Sequence, residues 1–163
     1  IIDAIKVKRE LFVDLDFMFT LFLMIIDETD NLEYFLYKYN ISKKDQKRAY
    51  AISNFYNEKN GSKTLNEVNL NKVLYYDGKQ AVLDIINFKI IKTKKLDKKL
   101  LSLLELYKNK ITPSLPVGAN LLISRYKIPE GRQLGSMLKL IEEEWIRNNF
   151  KISDKQIDSI VKG

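Results

Sequence analysis

The chain has 163 residues, 45% of them hydrophobic, which suffices for one core or two small ones without covalent staples. It holds neither cysteine nor histidine, which excludes disulfides, zinc–thiolate sites, Cys–His and Ser–His–Asp pairs, and histidine–aspartate phosphohydrolase centres. A formal net charge of +7 points toward a polyanion, although richness in Lys, Asn and Ile can also follow from coding bias.

Residues 3–10 are charged with a helical pattern, and residues 11–26 supply the first strongly apolar helix. Its most apolar run, from Phe17 to Ile26, falls well short of the roughly 20 residues that cross a bilayer. Asp27 and Glu28 follow where a signal peptide would have a small-residue cleavage site. The expectation is a protein with no membrane segment, and the lack of cysteine fits a reducing cytoplasm. The opening at Ile1 reads as the interior of a longer protein.

Leu32, Phe35, Leu36 and Tyr39 recur at three and four, predicting a short helix that ends at Asn40. Ser42-x-x-Asp45 is a capping-box variant, so the next helix begins there and runs to about Asn57. Asn60-Gly61-Ser62 is a turn, and Thr64-x-x-Glu67 caps a helix that reaches Tyr76. After the break at Asp77-Gly78, Ala81, Val82, Ile85 and Ile86 define another face. Leu100, Leu101, Leu104, Tyr107 and Ile111 define one more.

Pro113 and Pro116 sit poorly inside a helix, so a helical body over residues 1–110 is expected to give way to a helical tail over residues 111–163. The tail holds a short helix at about 118–126, a long one from Pro129 or Glu130 to Asn148, and a last one opened by Ser153-x-x-Gln156. No segment alternates at period two. The fold class is therefore all-α, an irregular stack of about nine or ten helices.

Gly131 and Gly135, four residues apart at the start of the long tail helix, strip its first turn of side-chain bulk. That surface admits either a neighbouring helix or an anion, since a helix N-terminus carries free amides and positive dipole. Arg125, Lys127, Arg132 and Lys139 lie near it. Two further basic groups are Lys43, Lys44, Lys47 and Arg48 at one helix start, and the lysines between Lys89 and Lys99. Each group is either solvated surface or a set of phosphate contacts, which position a nucleic acid without reading its sequence.

The pattern Leu115-Pro116-Val117, Gly118, Asn120-Leu121, then Ile128-Pro129, Gly131, Gly135 and Leu138-Lys139, with Glu143 or Glu144 and Trp145 following, resembles the C-terminal tail of bacterial CCA-adding tRNA nucleotidyltransferases and poly(A) polymerases. Tyr39-Asn40-Ile41-Ser42 to Arg48, and Val73 to Ile86 around Asp77-Gly78-Lys79, resemble upstream blocks of that family in the same order. The family has an acidic residue where Asn120 stands, and Pro-Gly-Pro where Pro129-Glu130-Gly131 stands. The resemblance implies an RNA-binding body and tail that hold the elbow side of tRNA, with a catalytic head and neck upstream in the same polypeptide. That head would use magnesium, CTP and ATP.

Within this chain no catalytic residue, metal ligand or cofactor is expected. Asp14-Leu15-Asp16 has the form of a metal-binding pair, but Gly61-Ser62 follows it instead of preceding it on a strand. Asp45 and Arg48 read as an i, i+3 ion pair on a solvated face, and Glu142–Glu144 as a charge run on the outside of a helix. The equivalent part of a poly(A) polymerase and a helical protein-interaction module are the alternatives.

Overall fold

The absence of period-two alternation is matched by the computed structural model, in which the described residues form nine α-helices and no strand. Those residues are 16–27, 29–56, 64–93 and 97–162. The charged segment at 3–10, Asp14, the Asn60-Gly61-Ser62 turn, Lys94 and Lys95 lie outside them. In chain order the helices are α1 (Phe17–Ile25), α2 (Asn31–Lys38), α3 (Lys43–Tyr56), α4 (Glu67–Tyr76), α5 (Lys79–Lys92), α6 (Lys98–Asn109), α7 (Ala119–Tyr126), α8 (Arg132–Arg147) and α9 (Asp154–Lys162). Among the described residues no helix is long and apolar enough to cross a membrane.

Local chemistry sets most of these starts. The Ser42 hydroxyl accepts from the Asp45 amide at 3.2 Å and donates to the Asp45 carboxylate at 2.7 Å. At α9, Ser153 and Gln156 cap each other reciprocally, amide to side chain in both directions. Two starts differ from expectation. Asn66 caps α4, accepting from the Asn69 amide at 2.9 Å, while Thr64 offers its carbonyl to the Asn66 amide. And α8 begins at Arg132, later than Pro129, because Gly131 takes φ +137°, a conformation open to glycine and closed to most side chains. The chain also leaves α6 at Asn109, so Ile111, expected on its apolar face, is 82% exposed.

Helix α5 is apolar nearly all round, as its core Ala81-Val82-Leu83 and Ile85-Ile86 announce, and such a helix belongs at the centre. It packs against α3, α4 and α6. Phe22, Leu23, Ile52, Leu74, Ile85 and Ile90 are fully buried in this larger core, each contributing about 1.5–3 kcal/mol by leaving water. A second core gathers Val117, Leu122, Ile128, Leu134, Ile141 and Ile157 from α7, α8, α9 and the segments around them.

Helix α8 joins the two cores. Its first half packs with α7 and α9, and its second half packs on α4 through Trp145, which meets Tyr75 edge-on at 5.4 Å and Phe150 at 4.9 Å. Asn149 and Phe150 then take φ of +55° and +63°, a left-handed pair that bulky residues avoid. The Phe150 amide donates to the Trp145 carbonyl at 2.8 Å, and Lys110 Nζ donates to the side chains of Asn149 and Asn71 at 2.7 and 2.8 Å. The strained turn is thus held from both sides. Burial there keeps the Lys110 pKa below the ordinary lysine value.

Candidate nucleic-acid interface

The first basic group sits on the opening turns of α3, where the helical repeat divides it. Lys43 and Lys44 are exposed, and among the described residues neither forms an ion pair. Lys47 Nζ donates to the Tyr76 carbonyl and lies 3.7 Å from Asp77, so part of its charge is committed to α4.

Arg48 faces inward and is 7% exposed. Its Nε donates to Asp84 Oδ2 at 2.7 Å, its Nη1 to Asp45 at 3.0 Å, and its Nη2 pairs with Asp16. Gln80 completes the shell by donating to Asp84 at 2.9 Å. Burial works against the guanidinium charge, but the bonds to Asp84 and Asp16 outweigh it and hold its pKa above the ordinary arginine value. The expected Asp45–Arg48 ion pair forms, but it is half-buried instead of lying on a solvated face, and the Arg48 donors are turned to carboxylates inside the protein and away from any phosphate. Asp16, from the suspected Asp-x-Asp pair, caps α1 through the Met18 amide and pairs with Arg48. Among the described residues no group of three or more acidic side chains is placed to hold a metal ion.

In the tail, Arg125 lies 3.1 Å from Asp154 and 3.7 Å from Asp158, bridging α7 to α9. The Tyr126 hydroxyl also donates to Asp158 and, with Lys162 and Arg125, holds its carboxyl below the usual range. Arg125 is therefore committed to the tail's own ion pairs instead of standing as a free cation. Lys127 ends α7 with φ +57° and is exposed.

On α8, Arg132, Gly135, Ser136 and Lys139 stand at i, i+3, i+4 and i+7, all exposed on one face. The opposite face carries Leu134, Ile141 and Trp145. Among the described residues a Cβ built on Gly131 or Gly135 would meet nothing within 4 Å, so no described helix occupies that turn. Among the described residues Lys127, Arg132 and Lys139 have no ion-pair partner. Glu142, expected on the outside, instead accepts from both Tyr75 and Tyr76 and ties α8 to α4.

Two features escaped the sequence reading. Tyr50 and Asn54 continue the line of Lys43 and Lys47 at i+7 and i+11, a spacing that was visible once α3 was assigned. Asp84, the partner of Arg48, was marked only by being a carboxylate amid an apolar run. No family model, curated protein or solved structure matches the chain.

Proposed function

We propose that this chain is a non-catalytic arm that holds a folded RNA, with tRNA as the RNA that the family resemblance implies. The observation that supports this reading most is the exposed face of α8, where Arg132 and Lys139 flank the open backbone of Gly135 and neither cation has an ion-pair partner among the described residues. Cations on a rigid helix, backed by a core on the opposite side, contact phosphates at fixed spacing and so respond to the shape of the RNA. A head and neck elsewhere in the polypeptide would carry magnesium, CTP and ATP and build the 3′ CCA end. The poly(A) polymerase alternative differs only in that head. A cytoplasmic location belongs to the same reading.

The Arg132→Ala/Lys139→Ala double variant is expected to bind folded tRNA roughly tenfold more weakly near 0.1 M salt and to lower the log–log salt slope by about 2, with an unchanged melting curve. Arg125→Ala serves as the contrast: it should loosen the α7–α9 contact and leave that slope nearly as it was. Wild-type affinity in the double variant would assign the α8 cations to solvent.

A further inference from the structure

Helices α3 and α4 both rest on α5, and a surface cleft of about 400 Å³ opens between them. Buried Phe55 and Val73 form part of its lining, and Lys43, Tyr50 and Asn54 stand along it. Among the described residues none of these three side chains has a hydrogen-bond or ion-pair partner. Lys47 and Asp77, which also line the cleft, lie 3.7 Å apart and largely offset one another, so Lys43 supplies the unbalanced charge.

These groups have complementary chemistry along one helix face. Tyr50 is 39% exposed and presents an aromatic surface. The Asn54 amide offers a donor and an acceptor one turn further on. Lys43 lies about 10 Å from Tyr50 along the helix axis, a span that one nucleotide and a lysine side chain together bridge. We propose that this cleft binds a single nucleotide, its base against Tyr50 and Asn54 over the apolar floor and its phosphate on Lys43. An acidic peptide fits less well, because it would meet the Asp77 carboxylate and leave the tyrosine and amide without a role. The site stands on its own geometry, so its failure would leave the reading of the α8 face untouched.

Calorimetric titration of the whole chain with adenosine 5′-monophosphate, ribose 5-phosphate, adenosine, hexa-adenylate and an acidic peptide, hexaglutamate, tests it. The nucleotide is expected to bind at least tenfold more tightly than ribose 5-phosphate and more tightly than adenosine. Tyr50→Leu should weaken it roughly tenfold or more, as loss of base–aromatic stacking does. Lys43→Ala should weaken it about fivefold at low salt and by less as salt rises. Tighter binding of hexa-adenylate than of the mononucleotide would place the nucleotide in an RNA strand, and equal binding would make it a free one. Ribose 5-phosphate binding as well as the nucleotide, Tyr50→Leu binding as wild type with an intact melting curve, or an acidic peptide binding where the nucleotide does not, would each overturn the proposal.

Discussion

Replacing Arg48 by methionine is expected to destabilise the protein by about 3–5 kcal/mol, because it leaves the Asp84 carboxylate buried without its counter-charge. Asp16 and Asp45 reach solvent and can recover water; Asp84, whose side chain is 2% exposed, cannot. The double variant Arg48→Met/Asp84→Leu should regain most of the loss, since a buried ion pair exchanged for apolar groups of similar volume is often neutral. Burial already pushes the Asp84 carboxyl above the usual carboxylate range, against the pull of Arg48 and Gln80. Without the guanidinium that shift grows, and the folded form then binds a proton that the unfolded chain releases. Stability of the single variant should therefore fall as pH rises from about 4 toward neutrality. Urea unfolding of the three proteins at pH 4.5 and pH 7 measures this. A single variant within about 0.5 kcal/mol of wild type at both pH values would show that Arg48 does not hold α1, α3 and α5 together.

Trp145→Ala should cost a similar amount, about 3–5 kcal/mol, as large aromatic deletions in a core do. The more telling effect is on cooperativity. Trp145 is 1% exposed and sits where α8 passes from the smaller core to the larger, in edge-on contact with Tyr75 and Phe150. Its loss also removes the ring that packs on Phe150 beside the left-handed Asn149–Phe150 turn, while the hydrogen bonds of that turn to the Trp145 carbonyl and Lys110 stay. Calorimetric unfolding of the variant should separate into two transitions, one for each core, where the parent shows one. A single transition at the parental temperature would mean that the two cores are joined by other contacts.

The all-α class was legible because the apolar residues of α4, α5, α6 and α8 recur at helical spacing over ten residues or more. Caps with reciprocal chemistry, Ser42 with Asp45 and Ser153 with Gln156, fixed their helix starts correctly. Thr64 and Pro129 did not, because Asn66 and Gly131 offered a better cap and a backbone conformation that spacing alone does not reveal. The candidate interface was read less well for a physical reason: charge in a sequence has a sign but no direction. Lys47 and Arg48 are adjacent, yet the rotation of about 100° between neighbours on a helix sends the second into the core, and its partners lie 32 and 36 residues away at Asp16 and Asp84. Arg125 and Lys127 differ in the same way, one bridging to α9 and the other exposed with no ion-pair partner among the described residues.

The claim on which the account rests is that this surface grips a folded polyanion by shape. Its most direct test is binding of the unmodified protein to folded tRNA, to an unfolded RNA and to DNA of equal length across a salt series. Affinity for all three should fall linearly with log salt, with a preference for folded tRNA that persists at high salt. Three parallel lines of equal affinity would contradict it, leaving only the attraction of a chain with net charge +7.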